Sequence, residues 1–229
     1  NYAAFGEGGS EMKGLIKNNL YSTLGNIKVF LLIDIVLILF LLATGNETLL
    51  YAVSLSTTPF LALLATTCLV KEETSKWHKH KLSFPVTRRT IINSQFIHHL
   101  FWIMAGVIIV ITAIVLTILI HGNLYFCYNF RDAIAVVVSG FIVALLIGAF
   151  VYPMLYLLGT DRVVVILALG VIVSVGVVFG ISRVINSFVE SPMTDVQFYM
   201  YLSIETIVAL IIYALSYFLT TIIFSKKEY

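Results

Sequence analysis

Six long apolar stretches are the feature that most constrains the fold of this 229-residue chain. A helix needs roughly 20 apolar residues to cross a bilayer core of about 30 Å. The stretches that reach or approach this length are residues 29–44, 49–70, 100–120, 133–158, 163–182 and 198–224. The pattern therefore predicts six membrane-spanning segments.

The overall composition supports lipid as the main solvent. Hydrophobic residues make up 60% of the chain, charged residues 11%, and the mean hydropathy is +1.01. Soluble domains usually carry about 25% charged residues. Lipid leaves no water to bond exposed backbone groups, so spanning segments must be helices or a closed barrel, and the period-two alternation of a barrel is absent. We predict an all-α polytopic membrane protein. Its net charge of +2 gives no indication of a nucleic-acid partner.

The basic residues predict the orientation. If both termini lie in the cytoplasm, 12 of the 14 Lys and Arg side chains fall in inner segments, and Arg131 and Arg183 alone lie outside. Inner loops of membrane proteins carry such an excess of Lys and Arg. We expect a multi-pass protein of the plasma membrane with both termini inside.

Two N-terminal segments precede the first span. Residues 1–11 lie ahead of the first methionine, and their GEGGS stretch is typical of an artificial linker. A single membrane domain is therefore predicted over residues 12–229. Within residues 12–26, Leu15, Ile16, Leu20 and Leu24 recur at near-helical spacing, which predicts a short helix in the inner interface.

The longest inner segment, residues 71–99, has the most specific sequence pattern outside the spans. Residues 72–81 begin with acidic side chains and end with Lys81, as the helix dipole favours. Pro85 then ends this helix, and Thr87 is suited to cap the helix that enters the third span. A positively charged anchor on anionic lipid is an alternative interpretation. That alternative does not account for Trp77 among charges or for the break at Pro85.

This segment resembles the first cytoplasmic loop of small type-2 ABC-transporter permeases. That pattern runs from an acidic pair through Ser-x-Trp and Pro-hydrophobic-Ser/Thr-Arg to an Ile and a Ser followed by an aromatic residue. The matching residues are Glu72, Glu73, Ser75, Trp77, Pro85, Val86, Thr87, Arg88, Ile91, Ser94 and Phe96. His80 departs from the pattern, because an aromatic residue often stands there. Among such permeases, the chain resembles those of staphylococcal phenol-soluble-modulin and lantibiotic exporters.

The resemblance implies a function and partners. This loop would be a coupling helix that docks on a separate ABC ATPase through Glu72, Glu73, Ser75, Trp77, Lys81, Pro85 and Arg88. The chain has no GxxxxGK[ST] loop, so ATP and Mg would be bound by the partner, and this chain would hold no cofactor and no catalytic residue. The implied activity is export of amphipathic or hydrophobic peptides across a bacterial plasma membrane, including antimicrobial peptide resistance. Six spans form half of an exporter pathway, so we expect a homodimer.

Polar and small residues within the spans suggest a pathway and packing faces. A candidate substrate pathway combines two kinds of residue within the spans. The second span supplies uncharged polar groups, and the first and sixth spans supply one acid each. The residues are Asp34, Tyr51, Ser54, Thr58 and Glu205. Gly176 and Gly180 form a GxxxG pattern for dimer or helix packing, and Gly140, Ala144 and Gly148 form a second small-residue stripe.

Other functions fit fewer features. The two acids would suit an ion-coupled carrier, but no inverted repeat is visible and neither acid lies in a broken, glycine-rich helix. A non-transport immunity or accessory protein is a further alternative. A CAAX-type intramembrane protease would need arginine where Trp77 stands. The histidine pair His98 and His99 is predicted to be interfacial rather than to bind metal.

Overall fold

Six long helices make up nearly all of the described structure. The computed structural model describes residues 3–74, 87–123, 125–126, 130–187 and 193–226. The helices are α1 (Ala3–Thr44), α2 (Glu47–Thr74), α3 (Arg88–His121), α4 (Phe130–Leu158), α5 (Val163–Ser187) and α6 (Asp195–Lys226), with a 3₁₀ turn at Thr160–Arg162 before α5. All six are long and apolar enough to cross a membrane, which confirms the predicted fold class.

Contacts at the helix ends establish an up-and-down arrangement. At one end, Arg88 at the start of α3 donates hydrogen bonds to the Phe224 and Ser225 carbonyls near the end of α6, at 3.0 and 2.8 Å. We call this the basic end. At the opposite end, Arg131 of α4 pairs with Asp195 of α6 at 3.1 Å. The six helices therefore run alternately between the two ends.

The first helix differs from the expected interfacial segment. Residues 12–26 are helical as predicted, but they continue into the first span without a break. The apolar side chains of Leu20, Leu24 and Ile27 pack against Leu61 of α2 and Trp102 of α3. No proline interrupts this stretch, so the helix can continue through it. Its packing on α2 and α3 then keeps it in line with the first span.

The helix boundaries of α2 and α3 correct part of the loop prediction. Because α2 runs to Thr74, Glu72 lies in its last turn rather than in the first turn of a separate helix. Glu73 and Thr74 follow in the same turn, and the rest of that predicted helix, residues 75–81, lies outside the described residues. The predicted cap is confirmed: Thr87 is extended, with φ −72° and ψ 148°, and its side chain accepts a hydrogen bond from the Thr90 amide.

Helix α4 lies at the centre of the bundle. It packs on α2, α3, α5 and α6, whereas α5 and α6 make few contacts with each other. The small-residue stripe of α4 permits this: a side-chain carbon at Gly140 would lie 3.5 Å from the Ser54 carbonyl of α2, and one at Gly148 would lie 2.2 Å from the His99 ring of α3. Small residues thus allow close helix approach within the chain.

Gly148→Ala should test this close approach. The added methyl group would overlap the His99 ring, which stacks on Tyr213 and meets Tyr152 edge-on. We expect a loss of about 1–3 kcal/mol of stability, as for other overpacked cores, seen as a lower midpoint of thermal unfolding in detergent.

Gly25→Ala is the matched control, because nothing lies within 4 Å of a side-chain carbon at that position of α1. It shares the gain in helix propensity from Gly to Ala. Equal midpoints for the two variants would contradict the packing at Gly148.

Candidate functional site

A buried polar cluster lies at the basic end, where α2 leaves the bundle and α3 enters it. Its central acid is Glu72, which is 5% exposed. The Cys68 thiol donates to Glu72 Oε1 at 3.6 Å, and Gln95 Nε2 donates to Oε2 at 3.4 Å. A buried carboxylate is costly unless hydrogen bonds satisfy it. Glu72 therefore fastens the last turn of α2 to the beginning of α3.

Helix α1 joins the cluster through Asn19, which is fully buried. In the amide orientation that satisfies both of its polar atoms, Nδ2 donates to Glu72 Oε1 at 3.1 Å and to the Leu15 carbonyl at 3.2 Å. In the same orientation Oδ1 accepts from Ser94 Oγ at 3.3 Å. One side chain of α1 thus bonds both α2 and α3.

Gln95 extends the cluster to α4. Its Oε1 accepts from the Tyr156 hydroxyl at 2.5 Å, and its backbone carbonyl accepts from the Tyr152 hydroxyl at 3.4 Å. The side chain of Gln95 is 2% exposed and links Glu72 of α2 to Tyr156 of α4. A displacement at the end of α2 would therefore reach the central helix through two hydrogen bonds.

Two histidines continue the polar chain one turn further into α3. His98 Nε2 accepts from the Trp102 indole, a donor only, at 3.0 Å, and Thr23 Oγ1 lies 3.1 Å from the same atom. The contact with the indole uses Nε2 of His98 as a hydrogen-bond acceptor. His99 Nδ1 lies 3.0 Å from the Tyr213 hydroxyl of α6. The interfacial prediction for this pair is wrong, since the residues are 1% and 0% exposed.

The structure describes three of the seven predicted coupling residues. Glu72 lies in the polar cluster. Arg88 donates to carbonyls at the end of α6, and its guanidinium lies 5.8 Å from the Phe224 ring centre. Glu73 belongs to the last turn of α2. The others lie outside the described residues: Ser75, Trp77, Lys81 and Pro85.

The predicted pathway residues of α1 and α2 lie in helix contacts. Thr57 donates to Asp34 Oδ1 at 2.8 Å, and the Tyr51 hydroxyl donates to the Tyr125 carbonyl at 3.2 Å. Ser54 and Thr58 are each 1% exposed. Thr58 fits against a glycine of α3, where a side-chain carbon at Gly106 would lie 2.8 Å from its Cα. None of these four lines an open channel in the single chain described.

Glu205 lies apart from that group. Its carboxylate accepts from Ser182 Oγ of α5 at 3.0 Å, on the far side of the bundle from Asp34. Helices α1 and α6, which carry the two acids, are not among the closely packed pairs. The acids therefore do not share a site within the described chain.

Sequence reasoning missed most of the cluster. Asn19, Gln95 and Tyr156 were not singled out, although polar side chains recur on one face of the early part of α3, at Ser94, Gln95, His98 and Trp102. This spacing of three to four residues was a usable signal, because polar side chains in a spanning helix usually face the protein interior.

The fold and this site define a polytopic helical membrane protein with a buried polar cluster at its basic end. Comparison with protein families gives one family: ABC-2 family transporter protein, matching residues 14–225. The match covers all six spans and the loop between α2 and α3. The chain therefore belongs to the ABC-2 family and is an ABC transporter permease, a membrane component that is not itself catalytic. Curated proteins and solved structures give no match.

The hydrogen bond between Tyr156 and Gln95 generates a prediction about stability. Tyr156→Phe leaves Gln95 Oε1 buried without its 2.5 Å donor. We expect a loss of about 1 kcal/mol, within the range found for hydrogen bonds between spanning helices, measured by reversible unfolding in mixed micelles.

Tyr199→Phe is the matched control, because Tyr199 is 40% exposed and no hydrogen bond of its hydroxyl is described. The double variant with Gln95→Leu should lose less than the two single variants together, since the two changes remove one shared bond. Strict additivity would show that this bond does not contribute.

Proposed function

We propose that this chain is the permease subunit of an ATP-driven exporter and that the polar cluster couples its spans to a separate ABC ATPase. The observation that carries the proposal is the burial of Glu72 in the last turn of α2, directly before the loop of residues 75–86. Hydrogen bonds tie Glu72 to α3 through Gln95 and to α1 through Asn19. Gln95 continues the connection to α4 through Tyr156.

The mechanism follows from this connection. ATP binding moves the partner, the partner moves the loop, and the loop pulls the ends of α2 and α3. A flexible or solvated connection would absorb such a displacement. A buried hydrogen-bonded one transmits it, because leaving a buried polar group unpaired is unfavourable. ATP and Mg act on the partner, and this chain supplies the moving spans.

Orientation and location rest on the charge bias. The loop and both termini lie in the cytoplasm, since 12 of the 14 Lys and Arg side chains fall on that side of the predicted topology. The resemblance to staphylococcal permeases supports a bacterial plasma membrane. In this orientation the basic end faces the ATPase and the ATP pool.

Two copies of the chain would complete the pathway. Gly176 and Gly180 are exposed on α5, and nothing lies within 4 Å of a side-chain carbon at either position. Their small size is therefore not used for packing within the described chain, in contrast to Gly140 and Gly148. This supports their assignment to a contact between permease copies.

We assign the substrate as an amphipathic peptide. The resemblance to modulin and lantibiotic exporters supports this class. Since Ser54 and Thr58 are enclosed in helix contacts within one chain, their hydroxyls would meet the peptide only after the spans separate during the transport cycle. Asp34 near the inner side would then favour a peptide amine.

Trp77→Ala tests the coupling role. An aromatic side chain among charges is suited to fill a cleft in the partner, and such residues are enriched among binding hot spots. We expect association with the ATPase to weaken at least about tenfold, as for a hot-spot residue, measured by co-purification across ATPase concentrations.

Lys79→Ala is the control, because it removes a charge from the same segment but no ring. If the loop only anchors to anionic lipid, Lys79→Ala should weaken the retention of anionic lipid by the permease, and Trp77→Ala should leave ATPase binding and export unchanged. That pattern would refute the coupling role.

The substrate assignment is tested in liposomes that contain the permease and its ATPase. An amphipathic helical peptide should stimulate ATP hydrolysis and enter the vesicle lumen, whereas a lipid and a hydrophobic cation should do neither. Stimulation by the lipid or the cation but not by the peptide would refute the peptide class and leave the exporter assignment intact. A protonophore should have no effect while ATP is maintained.

A further inference from the structure

A groove on the lipid-facing surface of the bundle has no role in the proposed coupling mechanism. It lies between α2, α4 and α5 and has a volume of about 710 Å³. Ligand pockets commonly span about 300–1,000 Å³. Along α5 the groove extends from Val171 to Arg183, which corresponds to roughly 18 Å at the rise of a helix.

The polar groups of the groove are concentrated at one end. Ser56 of α2, Ser139 of α4 and Ser182 and Arg183 of α5 line the part away from the basic end. The remainder of the lining is apolar, with aliphatic side chains such as Ile147 and the rings of Phe60 and Phe179. The groove is therefore apolar along most of its length and polar where it approaches the membrane surface.

Arg183 is exposed at the polar end and has no ion pair among the described residues. The nearby carboxylate of Glu205 accepts from Ser182, and no contact with Arg183 is described for it. Arg131, the other basic residue of this end, pairs with Asp195 and lies 4.3 Å from the Phe198 ring centre. Arg183 is thus positioned to receive an external anion.

We propose that this groove is a binding site for one anionic phospholipid. The acyl chain lies along the aliphatic part between α4 and α5, and the phosphate meets the Arg183 guanidinium at the membrane surface. Two features carry the assignment: the match between the polarity of the groove and that of a lipid, and the unpaired positive charge at the depth of the headgroups. The proposal does not depend on the ATPase, the substrate or the orientation of the chain.

The charge requirement is tested by native mass spectrometry of the full chain with equal amounts of phosphatidylglycerol and phosphatidylcholine. The wild type should retain phosphatidylglycerol preferentially. Arg183→Ala should reduce that preference about fivefold, which is the ratio that corresponds to the contribution of a single basic residue near an anionic membrane surface. Arg183→Lys should keep most of it. Arg162→Ala, in the 3₁₀ turn that precedes the same helix, is the control and should leave it unchanged.

The groove itself is tested by a change that does not touch the charge. Val175→Trp places a large ring among the lining residues and should lower retention of both lipids, whereas Val173→Trp, on α5 but outside the groove, should not. Thermal unfolding of each variant in lipid-free detergent reports on its folding. Unchanged lipid retention in both Arg183→Ala and Val175→Trp would overturn the proposal. So would a loss of dimer in Val175→Trp with lipid retention intact, which would assign the groove to a second copy.

Discussion

The exclusion of water from the interior of the helix bundle is the constraint on which the rest of this structure depends. A buried carboxylate or amide in that environment must find its hydrogen bonds inside the protein. Glu72 meets this requirement with Cys68, Gln95 and Asn19, which come from α2, α3 and α1. The requirement of one acid thus fixes three helices relative to each other. The bond from Tyr156 to Gln95 adds α4, the helix that contacts most of the others.

The same constraint explains why α1 is longer than its apolar stretch. The apolar stretch itself covers only residues 29–44, yet the helix begins well before it and includes Asn19 and Thr23, whose side chains bond α3. Ser22 and Lys71 add a further connection, since the Lys71 ammonium donates to the Ser22 carbonyl at 2.6 Å. Polar partners on α2 and α3 therefore extend the helix beyond the length that the hydrophobic core requires.

The general fold could be predicted from the sequence because it depends on local properties. Span length, mean hydropathy and the Thr87 cap are each read from neighbouring residues, and the structure agrees with them. The polar cluster could not be predicted in this way. The contact between Thr23 and His98 joins residues 75 positions apart, and its formation depends on how each helix is rotated about its axis. The small-residue stripes illustrate the same limit: Gly148 and Gly176 each belong to one, but within the described chain only Gly148 meets a neighbouring helix.

The uneven packing also indicates which part of the bundle can move. Helices α1 to α4 share the buried cluster, so separating them would leave several polar groups without partners. Helix α5 has few contacts with α6, and its main polar tie there is the bond from Ser182 to Glu205. Regions with few buried contacts open at the lowest free energy. Motion of α5 against α6 therefore requires less free energy than motion of the helices that share the cluster. A displacement entering at Glu72 would move together the parts of α1 to α4 that share the cluster, and the bundle would yield first along α5, beside the groove that ends at Arg183.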